Sequence, residues 1–165
     1  MSTSIEQSHY RNVMGRLPTG VVALAAITPD TAHPCGMVVG TFQSLSLEPA
    51  LVCFSVAHTS TSWPKLRAAE RFCASVLGTG QENVCQALSG RNPDKFEFVE
   101  WTPSPSGSPR ISGAHAWVDC RVVHELHGGD HVIVVAEVVA METGDGEPLV
   151  FHRGRLGGYR EPVAV

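Results

Sequence analysis

A chain of 165 residues with 43% hydrophobic and 17% charged residues can bury a sizeable core in one domain, and a formal net charge of −4 argues against general affinity for nucleic acid or an anionic membrane. No apolar run reaches the roughly 18 residues that a membrane-spanning helix requires, and the opening MSTSIEQSHYRN lacks the basic-then-apolar order of a secretory signal, so a cytoplasmic protein is expected. The cysteines, at 35, 53, 73, 85 and 120, are odd in number and contain no C-x-x-C pair. Neither a disulfide framework nor a structural zinc site is expected, and Cys53, Cys73 and Cys120 read as small core residues.

In chain order, Ile5, Tyr10, Val13, Met14 and Leu17 recur at mixed three- and four-residue spacing, which predicts a weak amphipathic helix from about Ser4 to Arg16, stopped by Pro18-Thr19-Gly20. Val21 to Thr28 is a short continuous apolar run and reads as a buried strand, while Pro29 to Pro34 with Gly36 reads as a loop. Thr41–Leu47 and Ala50–Val56 predict two strands across a Glu48-Pro49 turn. The hydroxyl cluster Thr59, Ser60, Thr61 and Ser62 follows, with no apolar face to bury. Such hydroxyls, together with turn N–H groups and the start of a helix at Trp63, form donors suited to a phosphate; the plainer alternative is a helix cap in a polar loop.

Trp63 to Glu70 predicts a short helix, Arg71 to Leu77 a strand with Phe72, Ala74 and Val76 on one face, and Gln81 to Leu88 a second helix. Arg91 to Arg110 is a long polar excursion carrying Phe96, Phe98 and Trp101, which suggests a lid or binding loop. Ala114 to Leu126 and His131 to Glu142 predict long strands about the turn Gly128-Gly129-Asp130, and Leu149 to Arg153 a short closing strand. Six or so strands with few helices predict a mostly β chain, an antiparallel barrel rather than a βαβ sheet, in one domain spanning 1–165.

The chain has no G-x-G-x-x-G, no P-loop, no G-x-S-x-G elbow and no H-E-x-x-H, which removes support for a Rossmann dehydrogenase, a P-loop enzyme, an α/β-hydrolase and a zincin. His124, His127, Asp130 and His131 are the nearest approach to a metal cluster, but on a hairpin they point in different directions, so no metal is expected.

Five segments in order resemble the flavin reductase domain of two-component flavin-dependent monooxygenases, a flavin-binding split-barrel family. They are Leu17-Pro18-Thr19-Gly20-Val21, Gly40 to Leu51 with its Ser-Leu-Ser-Leu-Glu-Pro core, Thr59 to Pro64, Gly129-Asp130-His131 with its apolar strand, and Phe151-His152-Arg153-Gly154-Arg155 with Tyr159. The likeness covers about residues 8 to 160. It implies a Greek-key split β-barrel with short flanking helices, working as a homodimer that oxidises NADH or NADPH, reduces FAD or FMN and passes the reduced flavin to a separate monooxygenase component.

Residue by residue, the resemblance implies that Val38, Val39, Gly40 and Thr41 line the flavin ring, with Ser55 and Val56 on the next strand edge. Ser60, Thr61 and Ser62 would meet the phosphate, Phe96 would approach the flavin, and His131, Arg153 and Tyr159 would meet the nicotinamide nucleotide. Where many relatives read Thr-Ala-Asn-Ser or Thr-Ala-Ser-Ser, this chain reads Val38-Val39-Gly40-Thr41, which leaves backbone N–H groups to serve the ring. Each residue also has a plainer reading: His131 an ordinary strand start, Arg153 and Arg155 a solvated edge, Phe96, Phe98 and Trp101 core under a loop, Val38 and Val39 core.

Hydride transfer between two cofactors needs no protein nucleophile or strong acid, so the lack of a triad or metal box is compatible with an enzyme. Lys95, Arg153 or Arg155 would supply countercharge to a phosphate. NADH is preferred over NADPH because no Arg or Lys cluster is set aside for a 2′-phosphate. Two other readings remain open: a flavin-carrying electron module that does not turn over NAD(P)H, and an interaction domain that has kept the barrel without the flavin.

Overall fold

The computed structural model describes residues 5–162. Its elements in chain order are α1 (Gln7–Met14), β1 (Thr19–Gly20), β2 (Val22–Ile27), β3 (Pro34–Val39), β4 (Gln43–Leu47), β5 (Ala50–Ala57), α2 (Trp63–Ala68), β6 (Arg71–Val76), α3 (Glu82–Ser89), β7 (Trp101–Pro103), β8 (Pro109–Ile111), β9 (Ala116–Gly128), β10 (His131–Thr143), β11 (Leu149–His152) and β12 (Arg155–Gly158). Seven strands form one antiparallel sheet in the order β3-β2-β6-β9-β10-β5-β4, and β1, β11 and β12 form a second, smaller sheet.

The connectivity forces the large sheet to curl. Its two edge strands, β3 and β4, are consecutive in the chain and joined only by Gly40, Thr41 and Phe42. A flat sheet of this width would hold its edges about 29 Å apart at about 4.8 Å per strand, whereas the step from Val39 to Gln43 spans at most about 14 Å of extended chain. The edges therefore meet, and the result is the expected mostly β, split-barrel architecture with short flanking helices. Register shifts on β10 beside Val135 and Val138 mark irregularities in its pairing with β9, which add local twist to these long strands.

Inside the barrel, Val22, Leu24, Phe54, Phe72, Cys120 and Val134 belong to one core cluster, closed at one end by Trp63 and Leu66 of α2. Phe54 is its hub, meeting Trp63 and Phe72 edge-on, each with ring centroids 5.6 Å apart, and lying over Phe42 at 6.2 Å. A second cluster on the outer face of β2 includes Val21, Ala23, Leu77, Leu88, Phe96 and Leu149. With a cluster on either side, β2 has no polar alternation to show, which is why VALAAI reads as an unbroken apolar run.

Two expectations are corrected here. Pro34 and Gly36 were expected to belong to a loop, yet Pro34–Val39 is strand β3. Pro34 stands at the first residue of an edge strand, where a missing N–H is tolerated, and Gly36 permits a close approach. A Cβ on Gly36 would lie 2.9 Å from the Leu24 carbonyl oxygen and 3.1 Å from the Phe96 ring. The excursion from Arg91 to Arg110 was expected to be a lid or binding loop, but its end is a fixed hairpin of β7 and β8. The fully buried Asp119 carboxylate accepts bonds from the Ser106 N–H (2.8 Å) and the Ser106 hydroxyl (2.7 Å), and the Ile111 N–H donates to the Ser75 hydroxyl at 3.0 Å. Of the excursion's aromatics, Phe96 is buried and Trp101 half-buried, while Phe98 is exposed.

Asp119→Ala removes a buried charged acceptor and should cost about 1.5–3 kcal/mol. A lower urea midpoint and faster proteolysis at residues 104–108, with Asp119→Asn affected less, are the expected readouts. An unchanged midpoint would show that this anchor does not hold the hairpin.

The helix expected from Ser4 to Arg16 is α1, at Gln7–Met14; Ser4 lies outside the described residues. None of its residues is buried, and Tyr10, Val13 and Met14 are exposed. The expected closing strand is β11, and it turns at Arg153-Gly154, both at positive φ, into β12.

Candidate functional site

The expected flavin-facing residues gather at one end of β5. Thr41 leaves β3 and docks on Ser55: the Ser55 N–H donates to Thr41 Oγ1 at 2.9 Å, and the Thr41 hydroxyl lies 3.3 Å from the Ser55 carbonyl and from the Ser55 hydroxyl. This contact ties the β3–β4 connection to β5, continuing the β4–β5 pairing beyond Gln43 by a side chain. Val56 points into the barrel core, as does Val39, while Val38 packs against the outer cluster, so these three offer a ligand little beyond backbone. As the edge strand, β3 leaves one row of backbone groups outside the ladder.

Gly40 sits in a tight place. A Cβ there would lie 2.8 Å from Thr19 Oγ1, and that hydroxyl is buried without a hydrogen-bond partner. No role for Thr19 is legible in the sequence; only its place in Leu17–Val21 points to the neighbourhood.

At the end of β5 the chain turns through the hydroxyl cluster. The Ser60 N–H donates to the Ala57 carbonyl at 2.9 Å, and Ser60 Oγ accepts from the Trp63 N–H at 3.2 Å. Ser62 is the N-cap of α2, though its hydroxyl does not cap the helix. Instead Ser62 Oγ accepts from the Lys95 ammonium at 3.0 Å. Thr59 and Thr61 are exposed.

A hydroxyl carries one proton and two acceptor lone pairs. Both Ser60 and Ser62 already accept an internal donor, and among the described residues neither hydroxyl donates to an acceptor. Their protons are free to point outward, the arrangement that suits a phosphate oxygen. Lys95 Nζ also donates to the carbonyls of Leu88 (2.8 Å) and Gly36 (3.4 Å), and its pKa is lowered, first by burial and then by the neighbouring Lys65 charge.

His131 belongs to the same rim. It pairs with Ala57 across β10 and β5, and the His58 N–H donates to the Asp130 carbonyl at 3.0 Å. Its Nδ1 lies 2.6 Å from Asp130 Oδ1, and that hydrogen bond holds the fully exposed Asp130 carboxyl below its usual range. His58 and His127 meet edge-on at 5.6 Å. Among the described residues, no three His, Cys, Asp or Glu side chains converge on a possible metal position.

Two expected residues lie on the smaller sheet. Arg153 forms the β11–β12 turn, its N–H donating to the Gly15 carbonyl at 3.0 Å, and Tyr159 follows β12, exposed. An open cleft of about 760 Å³ is lined by Arg153, Arg155, Pro18, Val150 and Leu156 among others. Thr19, next in the chain to Pro18 of that lining, pairs with Phe151 and abuts Gly40. Among the described residues, no hydrogen bond or strand pairing joins His131 to Arg153 or Tyr159.

Phe96 stands apart from the other expected contacts. The residue is 7% exposed and its ring packs on Gly36, so it offers a ligand little surface. Its neighbour Lys95, foreseen only as one of three possible countercharges, reaches the hydroxyl turn.

The family model described as "Flavin reductase like domain" matches residues 14–160. The chain is 40% identical over 158 residues to a flavin reductase of Pseudomonas putida, covering 95% of this chain and 92% of that protein. It is 37% identical over 163 residues to the flavin-dependent monooxygenase reductase subunit HsaB of Rhodococcus jostii, covering 98% and 83%. The NADH:FAD oxidoreductase SgcE6 of Streptomyces globisporus, solved in complex with NAD and FAD fragments, superposes with a TM-score of 0.89 at 30% identity, covering 99% of this chain and 100% of that one.

Proposed function

The chain belongs to the flavin reductase like domain family, and from that membership we propose that it oxidises NADH, reduces FAD or FMN, and supplies the reduced flavin to a separate monooxygenase component. The observation that carries this reading is the hydroxyl turn at Ser60–Ser62, whose two serine hydroxyls are each held by an internal donor and left with a proton for an external anion. The names of its relatives, a flavin reductase and a monooxygenase reductase subunit, support the same activity.

The residues present fit a flavin nucleotide. Ser60, Thr61 and Ser62 would hold the phosphate with Lys95 behind them, and the Val38–Thr41 backbone with Ser55 would border the ring. When bound, the flavin supplies an acceptor at N5 for the hydride from nicotinamide C4. The protein's share is orientation: the Thr41–Ser55 contact fixes the rim, and His131, fixed by Asp130, stands at the end of β5 where a nicotinamide nucleotide would be met. Arg153 and Tyr159 would meet that nucleotide from the smaller sheet. A homodimer would cover the apolar side chains of α1 that this chain leaves exposed.

The test is NADH oxidation by the purified protein with added FAD or FMN and no monooxygenase. Turnover supports the reductase. Bound flavin without turnover of NADH or NADPH would make the protein an electron carrier, and failure to bind either flavin would make it a barrel that has lost its cofactor. His131→Ala should raise KM for NADH about five- to thirtyfold, the loss of roughly 1–2 kcal/mol of contact, and leave KM for flavin nearly unchanged. The opposite split would refute its placement.

A further inference from the structure

We propose that Lys95 is the positioning residue of the phosphate site, its ammonium fixing the Ser62 hydroxyl so that the hydroxyl's proton faces a ligand phosphate. This deepens the flavin reading and rests on it.

An ammonium has three protons and no lone pair. Lys95 Nζ has three partners, the Leu88 carbonyl, the Ser62 hydroxyl and the Gly36 carbonyl, so its donating capacity is filled from within the chain. Ser62 Oγ is therefore obliged to accept, and its own proton is turned away from Lys95. Lys95 thus has no proton left for direct contact with a ligand in this arrangement; its charge reaches the ligand through the serine.

The anchors make this arrangement rigid. Leu88 lies in the last turn of α3, where the helix favours a cation, and Gly36 lies on β3. The Phe96 ring packed on Gly36 fixes the backbone next to Lys95. Three separated segments, β3, the end of α3 and the start of α2, converge on one nitrogen.

Among the described residues, the charge has no partner of opposite sign. All three acceptors are neutral, and among the described residues the ion pairs are Arg67 with Glu125, Arg121 with Glu137 and His131 with Asp130. The groups whose charges act on Lys95 are Lys65 of α2 and the Cys35 thiol of β3, and the thiol's own pKa is raised by burial. A partly buried cation beside another cation, with no carboxylate, is costly unless an anion completes it. The phosphate of FMN, or the diphosphate of FAD, has the matching charge.

Riboflavin, which has the same ring and no phosphate, separates this role from general support of the pocket. Flavin fluorescence titrations would compare FMN with riboflavin on the wild-type protein and on Lys95→Met, Ser62→Ala and the double variant. Wild type should prefer FMN. Lys95→Met should weaken FMN about ten- to hundredfold, the usual effect of losing a charge-assisted hydrogen bond, while riboflavin affinity stays nearly constant. Ser62→Ala should do the same, and the double variant should be little worse than either single one, because both remove one pathway.

The wild-type preference for FMN should also fall as pH rises, at a pH below that at which an exposed lysine titrates, since burial and Lys65 lower the Lys95 pKa and the neutral amine no longer polarises Ser62. Lys95→Met should show no such fall. Equal losses for FMN and riboflavin in both single variants, additive losses, or an unchanged FMN preference would overturn the proposal. Ser62→Ala, which removes one oxygen, keeps the test open if Lys95→Met does not fold. If the wild-type protein binds neither flavin, the flavin reading fails by itself; thermal stabilisation by inorganic pyrophosphate in wild type but not in Ser62→Ala would then uphold the anion site, and its absence would overturn it.

Discussion

Phe54→Ala should lower the stability of the barrel by about 3–5 kcal/mol, the range for emptying a buried aromatic site. Phe54 is 1% exposed and touches Phe42, Trp63 and Phe72, which come from the seam, the α2 plug and β6. These rings come from three different elements, so no single backbone shift can refill the space, and the upper half of the range is expected. For a chain of this length, a loss of that size corresponds to a fall in Tm of about 6–20 °C. A calorimetric scan checks it; a fall of only a degree or two would mean that the interior is not organised on this ring. Because Trp63 opens the helix after the hydroxyl turn, flavin affinity should drop as well, even where most molecules remain folded.

Ser60→Ala combined with Thr61→Ala should weaken flavin nucleotide binding by about 2–4 kcal/mol, roughly thirty- to a thousandfold, since each hydrogen bond to a charged group is worth about 1–3 kcal/mol. The two positions contribute differently. Ser60 accepts the Trp63 N–H, so its loss also frees a backbone donor at the start of α2, whereas Thr61 is exposed and its loss leaves the fold alone. Equilibrium titration with FMN gives the affinity, and a thermal scan of the unliganded protein isolates the cost to the turn. Unchanged flavin binding would remove the phosphate assignment.

Much of the barrel was legible because its strands announce themselves by period or by unbroken apolarity. Phe72, Ala74 and Val76 alternate and all face the inner cluster, and the buried Cys53, Cys73 and Cys120 are as expected. Burial pushes the Cys73 thiol up to about 12, with Asp119 beside it adding to the effect, so it behaves as a small apolar residue. What was not legible depends on pairs distant in sequence. Pro34 and Gly36 looked like strand breakers because nothing local announces that a ring 60 residues later will lie on Gly36. The polar stretch before Arg110 reads as a lid or binding loop because its anchor, Asp119, sits inside a strand apart from it.

The site divides along the same line. Ser60, Thr61 and Ser62 stand out as consecutive hydroxyls with nothing apolar to cover, a signal carried by composition alone. Lys95 does not stand out, because what distinguishes it is the set of oxygens around it, and these come from Gly36, Ser62 and Leu88. Val38 and Val39 show the converse: their side chains serve the two hydrophobic clusters, leaving the main chain as the only part that can meet a cofactor.

With a flavin bound as proposed, the three-residue bridge from Val39 to Gln43 would tie the lifetime of the folded chain to ligand occupancy. To unfold, the cylinder must first come unzipped somewhere, and past Gln43 the outer side of β5 is held by the Thr41–Ser55 side-chain contact rather than by a full ladder. A flavin held across that contact, as proposed, would bar the exit, so the same grip that slows its departure would also slow denaturation.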